Sequence, residues 1–157
     1  MPVAPAETEK LLNLLAETPH RIAAVSRELE NVRLHFKADE KAWSANDILA
    51  HLRACADVWG KSIMTMLIED QPTFRYVSPR TWIRKTNYPD LEFQASFQAF
   101  TQQRAELLKV LKSLTLEDWS RAALIDGREQ TVFSYAQRMT QHEHEHCEQI
   151  EALLKSI

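Results

Sequence analysis

Apolar positions recur along this chain at intervals of three and four residues, in four long stretches. That is the period of one face of an α-helix. The first stretch begins near Ala6, and its stripe is Leu11, Leu15, Thr18, Ile22, Val25 and Leu29. The rhythm survives Pro19, so the helix either kinks there or restarts with Thr18 as its cap. The second opens on Trp43-Ser44-Ala45-Asn46-Asp47. Ser44 suits the N-cap, and Asp47 completes a capping-box spacing with Asp in the usual Glu position. Ile48, His51, Leu52, Cys55, Trp59, Ile63 and Met66 follow as one stripe, which ends near Asp70, ahead of Pro72. The third runs from about Pro89 to Leu114 on Phe93, Phe97, Phe100, Arg104, Leu107 and Leu111. Thr115 to Trp119 then reads as a capped short turn of helix, and Asp126-Gly127 as a turn. The fourth runs from about Thr131 to the end, with Met139, Ile150 and Leu153 on its apolar face.

No strand pattern is evident between these stretches. Glycine supports that reading, because the chain has only Gly60 and Gly127, and sandwiches and barrels need many tight turns. The expectation is an all-α protein, an antiparallel four-helix bundle with residues 1–157 as one domain. The connection over 72–89 carries three prolines with Tyr76, Trp82 and Tyr88. A connection of that length in a compact domain is often functional, and it is the candidate lid or pocket wall.

Composition narrows the function. A chain of 157 residues is long enough for a real core. Its net charge of −3 offers no basic footprint for nucleic acid. No apolar run approaches the roughly 18 residues of a membrane span, and the first residues lack the apolar stretch of a signal peptide. Cys55 and Cys147 both fall within helical patterns, which disfavours a disulfide framework. These features together lead to the expectation of a soluble protein in a reducing cytoplasm.

The chemistry lies in histidines on apolar faces. At about 100° per residue, His142 and His146 lie about 40° apart on the inward face of the fourth helix, and His144 points away. Side chains at i and i+4 meet one turn apart. His51, on the inward stripe of the second helix, can complete a trio across the core. Bundle cores are a recurrent place for metal sites built from facing helices. Three neutral imidazoles suit zinc, nickel or ferrous iron better than calcium or magnesium. Three protein ligands leave a position open for water or substrate, as in a catalytic rather than a structural site. The metal could then make a bound water acidic or hold a thiol as the thiolate.

His142-Glu143-x-x-His146 also matches the pattern of zinc peptidases. No strand is available to align a peptide, however, and only eleven residues follow His146. Glu143 falls about 100° from His142 and is expected on the surface with Glu145 and Glu148. Glu145 and Gln149 are candidates to hydrogen-bond the ligands and orient them. Arg104 interrupts an aromatic stripe. It is expected to form a partly buried ion pair with an acidic residue of a neighbouring helix, or to anchor a substrate anion. Cys147 is expected to pack in the core, and Trp43 and Trp119 to pack at helix ends.

Trp43-Ser44-Ala45-Asn46-Asp47-Ile48-Leu49-Ala50-His51-Leu52 and His142-Glu143-His144-Glu145-His146-Cys147-Glu148-Gln149-Ile150 resemble the signatures of the DinB-like superfamily. The Phe-rich helix with Arg104 and the Leu114–Trp119 region resemble it too, so the likeness spans about Leu11 to Leu154. The resemblance implies a four-helix bundle with a divalent metal, commonly zinc or nickel, held by His51, His142 and His146. It implies a metal-dependent thiol transferase using a low-molecular-weight thiol (bacillithiol, mycothiol or glutathione) and a small electrophile. A non-enzymatic metal-binding or stress-related role and a metal-dependent hydrolase are the alternatives. It implies a homodimer, and no DNA-binding role despite the family name.

Overall fold

The computed structural model describes residues 3–156. Four long helices form the bundle: α1 (Pro5–Ser26), α3 (Ala45–Ile68), α5 (Phe93–Lys112) and α7 (Val132–Lys155). Short helices α2 (Asn31–Leu34), α4 (Pro79–Ile83) and α6 (Leu116–Trp119) lie in the connections, with a 3-10 turn at Tyr88–Asp90. Among the described residues no helix is long and apolar enough to cross a membrane.

The predicted caps are in place. Ser44 Oγ accepts from the Asp47 N–H at 3.0 Å, and Asp47 Oδ2 accepts from the Ser44 N–H at 2.9 Å. This reciprocal pair satisfies two of the otherwise unpaired donors at the start of α3. Thr115 with Asp118 and Thr131 with Ser134 repeat the device on α6 and α7. At the other end of α3, Arg121 donates to the Met66 and Glu69 carbonyls, both at 2.8 Å. A cation there complements the negative end of the helix dipole.

Helix directions follow from which residues meet. Thr18 meets Glu143 and Arg21 meets Glu151, so α1 and α7 run parallel. Arg53 meets Ser96 and Asp57 meets Gln103, so α3 and α5 also run parallel. Trp43 stacks on His146 and His51 meets it edge-on, while Trp59 lies by Arg138, so α3 and α7 are antiparallel. A parallel neighbour cannot be reached by a tight turn. The chain must recross the length of the bundle between α3 and α5, and this is why the connection over 69–92 is long.

Besides these two parallel pairs, which stand where an all-antiparallel bundle was expected, three details depart from the sequence reading. First, α1 is one continuous helix with Pro19 inside it, and Thr18 is not a cap. Proline has no N–H, so the Leu15 carbonyl lacks its partner within the helix. Arg104 Nη1 supplies the missing donor at 2.9 Å. Second, α5 begins at Phe93, after the 3-10 turn, rather than at Pro89. Third, a small sheet is present. β1 (Thr73–Phe74) pairs in parallel with β2 (Ala122–Ile125), which pairs antiparallel with β3 (Arg128–Thr131). Asp126 and Gly127 form the two-residue hairpin turn with φ of 51° and 76°. Asp-Gly is favoured where both central residues need positive φ. Asp126 Oδ1 also accepts from the Tyr76 N–H at 3.0 Å, so the hairpin holds the start of the crossover in place.

Buried apolar side chains form two clusters along the bundle. One gathers Leu11, Leu15, Trp59, Ile63, Tyr135 and Met139 with their neighbours. The other gathers Ile22, Ile48, Leu52, Phe100, Cys147 and Ile150 with theirs. On α1, α5 and α7 a polar residue stands between them in sequence: Thr18, Arg104, and the pair His142 and Glu143; on α3, His51 lies among the residues of the second cluster.

Candidate metal centre

α3 and α7 bring His51, His142 and His146 together. His142 Nε2 lies 3.2 Å from His51 Nε2 and 3.1 Å from His146 Nε2. One potential ligand atom from each of the three falls within 4.8 Å of the others. Nitrogens bound to one tetrahedral zinc at about 2.0–2.1 Å stand about 3.3 Å apart. The spacing between the imidazoles therefore matches a shared ion. The trio follows from one-turn spacing on α7 and the antiparallel approach of α3.

Burial pushes the His142 imidazole down to about 3, aided by His146, His51 and Arg138. It pushes His51 down to about 4, aided by His146 and Arg80. Both are therefore neutral near pH 7, with lone pairs available to a metal. Gln149 Oε1 lies 2.9 Å from His146 Nδ1. An amide oxygen there holds the ring proton on Nδ1 and leaves Nε2 as the donor atom. His142 Nδ1 is buried without a partner.

The surroundings are aromatic and sulfur-bearing. Trp43, 41% exposed, lies with its ring centroid 5.1 Å from that of His51 and covers the site from the start of α3. Trp59 meets His142 edge-on at 4.9 Å. Cys55 Sγ lies 3.5 Å from His51 Nε2 and 4.0 Å from His142 Nε2. Burial pushes the Cys55 thiol up to about 12, with a further push from Glu143, so it stays protonated. The spacing His51-x-x-x-Cys55 was the signal for this thiol, since it places the sulfur one turn from a ligand on the same stripe.

A cavity of about 270 Å³ opens onto the site. The bundle contributes His51, Cys55, Trp59, Arg138 and His142. The crossover contributes Tyr76, Ser78, Pro79 and Arg80, so part of the 72–89 connection walls this pocket. Asp57 fastens that wall: its carboxylate accepts from Trp82 Nε1 at 2.9 Å, the Tyr88 hydroxyl at 2.6 Å and Gln103 Nε2 at 2.6 Å. A larger cavity of about 420 Å³, between α3 and the crossover, has no histidine or cysteine in its wall.

The other sequence candidates lie elsewhere. Glu143 is not a surface charge: it is 3% exposed and ion-paired with Arg104, itself 2% exposed. Arg104 Nη1 lies 2.7 Å from Glu143 Oε1, Nη2 reaches Oε2, and the Thr18 hydroxyl donates to Oε1 at 2.8 Å. Arg104 is thus the buried ion pair, not a substrate anchor, because its guanidinium is committed to Glu143 and Leu15. The same pair removes the peptidase reading, since Glu143 faces Arg104 and Thr18 and cannot serve as base at the histidines. A sequence signal existed: Met139, Glu143, Cys147 and Ile150 share one helical face. Glu145 is exposed and, among the described residues, hydrogen-bonds to none of the histidines. His144 is exposed and meets Glu148 and Arg21. Cys147 packs in the core, Trp119 is buried, and both cysteines are free.

Comparison with known proteins agrees with this architecture. YfiT from Bacillus subtilis, described as a probable metal-dependent hydrolase with an unusual four-helix bundle topology, matches with a TM-score of 0.84 at 15% identity. The match covers 98% of this chain and 89% of that one. No curated protein matches the sequence. The model of the DinB superfamily matches residues 14–150. With most of its length inside that match, the chain belongs to the DinB superfamily.

Proposed function

We propose that this protein is a divalent-metal-dependent enzyme in which His51, His142 and His146 hold the ion, with zinc or nickel the best fit. The observation that carries this reading is the convergence of three imidazole Nε2 atoms, 3.1–3.2 Å from His142 to each neighbour, with His51 and His142 lining a cavity. A bound divalent ion supplies Lewis acidity and stabilises a nucleophile in its anionic form. Gln149 orients His146, and burial keeps His51 and His142 unprotonated. Trp43 and Trp59 shield the imidazoles from bulk water. The unpartnered His142 Nδ1 costs about 1–3 kcal/mol, a small amount beside the binding energy of zinc at a three- or four-ligand protein site.

The nucleophile we favour is a low-molecular-weight thiol attacking a small electrophile. None of the residues lining the cavity is a carboxylate, so no side chain there suits the role of base for water. A thiol needs less help, because a coordinated thiol loses its proton outright. Hydrolysis is the second reading, and the description of YfiT favours it. A cytoplasmic homodimer of one domain completes the proposal.

Metal analysis after gentle purification should give one equivalent per chain in the natural protein. His51→Ala, His142→Ala and His146→Ala should each reduce it at least tenfold. Retention of full metal in any two of the variants would exclude this site. A conjugation screen with common thiols and a model electrophile, run beside an ester and amide hydrolysis screen, separates the two readings. Metal-dependent turnover only in the second screen would favour hydrolysis. Stoichiometric metal with no turnover in either would favour a non-enzymatic binding role.

A further inference from the structure

The chain carries 22 acidic and 19 basic residues, yet the wall of the histidine cavity runs against that balance. It contains Arg80 and Arg138 and no acidic side chain. Both arginines are exposed, and among the described residues neither is ion-paired with a carboxylate. Besides the imidazoles, the Cys55 thiol and the Trp59 indole, the polar side chains of the wall are the hydroxyls of Tyr76 and Ser78. Trp59 Nε1 donates to the Tyr76 hydroxyl at 3.1 Å, which leaves that hydroxyl's own proton free to donate. Ser78 accepts from the Arg80 N–H, and Asp126 is turned to the Tyr76 backbone.

Arg138 is also pre-positioned. Its guanidinium carbon lies 5.3 Å from the centroid of Trp59, 5.5 Å from Tyr76 and 5.8 Å from Tyr135. Three aromatic rings restrict the side chain without neutralising it. A planar guanidinium presents paired N–H donors that match carboxylate and phosphate oxygens. The two arginines come from different elements, α7 and the start of α4, so they grip from two sides of the cavity.

We infer that the pocket takes an organic anion. Its carboxylate or phosphate group is held by Arg80 and Arg138, and its apolar part rests on Trp59 and Tyr76 beside the histidines. The inference rests on the metal-site reading for its catalytic meaning, but the arginines define the ligand class by themselves. Arg104, the sequence candidate for this role, is excluded by its burial against Glu143.

The test is calorimetric titration of zinc-loaded and chelator-treated protein with benzoate, phenyl phosphate and the neutral analogue benzamide. Benzoate or phenyl phosphate should bind at least tenfold more tightly than benzamide, and the tighter of the two names the anionic group. Arg80→Gln and Arg138→Gln should each weaken that binding about tenfold with zinc content unchanged and the circular dichroism spectrum retained. Equal binding of benzamide, or unaltered affinity in both variants, would overturn the inference. Arginine-dependent anion binding by a protein that takes up no zinc would overturn the metal reading and leave this one standing.

Discussion

His142 and Glu143 are adjacent in the chain and sit at the same level of the bundle, yet they face opposite kinds of polar environment. Glu143 turns toward α1 and α5. There Arg104, the Thr18 hydroxyl and the Leu15 carbonyl left bare by Pro19 close a network whose charges cancel. His142 turns toward α3, where it meets two more imidazoles, a protonated thiol and a tryptophan edge. One cluster is fully buried and internally balanced. The other opens to a cavity and has imidazole lone pairs converging on one point. A buried polar group needs a partner. The charges of the first cluster find their partners within the chain, with only Arg104 Nε left over; the second, on the proposed reading, takes its partner from solution.

The largest effect should come from breaking the balanced side. Glu143→Ala leaves Arg104 buried and unpaired, at a cost of about 3–5 kcal/mol in urea unfolding. Its folded fraction should still bind one equivalent of metal. Loss of metal in that folded fraction would mean that the two clusters are one unit. His142→Leu is the counterpart. Metal-free stability at pH 7 should change by less than about 1.5 kcal/mol, and stabilisation by added zinc, about 2.7 kcal/mol at a hundredfold excess over Kd, should vanish. Zinc that stabilises this variant as it does the natural protein would place the ion elsewhere.

A change of pH sharpens the comparison further. Burial holds His51 down to about 4 and His142 to about 3, against an ordinary value of 6.5. Below pH 6.5 the unfolded chain takes up protons that the folded, metal-free protein resists. Stability from these groups is thus full above about pH 6.5 and falls as pH drops toward 4 and then 3. Unfolding at pH 7, 5.5 and 4.5 should show that decline in the metal-free protein. The decline should be smaller in a His51→Gln/His142→Gln double variant, and equal slopes would contradict the assignment.

The smallest effect concerns Pro19. An interior proline ordinarily costs about 3 kcal/mol relative to alanine. Because Arg104 already serves the Leu15 carbonyl, Pro19→Ala should stabilise by clearly less than that. A gain of the full amount in thermal unfolding would show that the Arg104 bond contributes nothing.

The sequence made the four long helices, the capping box at Ser44 and the inward faces of His51, His142 and His146 legible, because each rests on local spacing. Glu143 is buried, against the sequence expectation, because α7 packs against both α1 and α3. Its buried arc is wider than one stripe, as Met139 and Cys147, one turn to either side, indicate. The sheet has no clear sequence pattern because its strands are two to four residues long and one of them, Arg128–Thr131, is polar. The roles of Arg80, Arg138 and Asp57 depend on how the crossover lies across α3, which no local pattern encodes. The continuity of α1 through Pro19 depends on a donor 85 positions further along, Arg104.

The most direct measurement is X-ray absorption spectroscopy of the zinc-loaded protein in the absence of added thiol. The account predicts three imidazole nitrogens at about 2.0–2.1 Å, completed by lighter oxygen ligands and with no sulfur in the shell. Fewer than three imidazoles, or a sulfur at about 2.3 Å from Cys55, would contradict it.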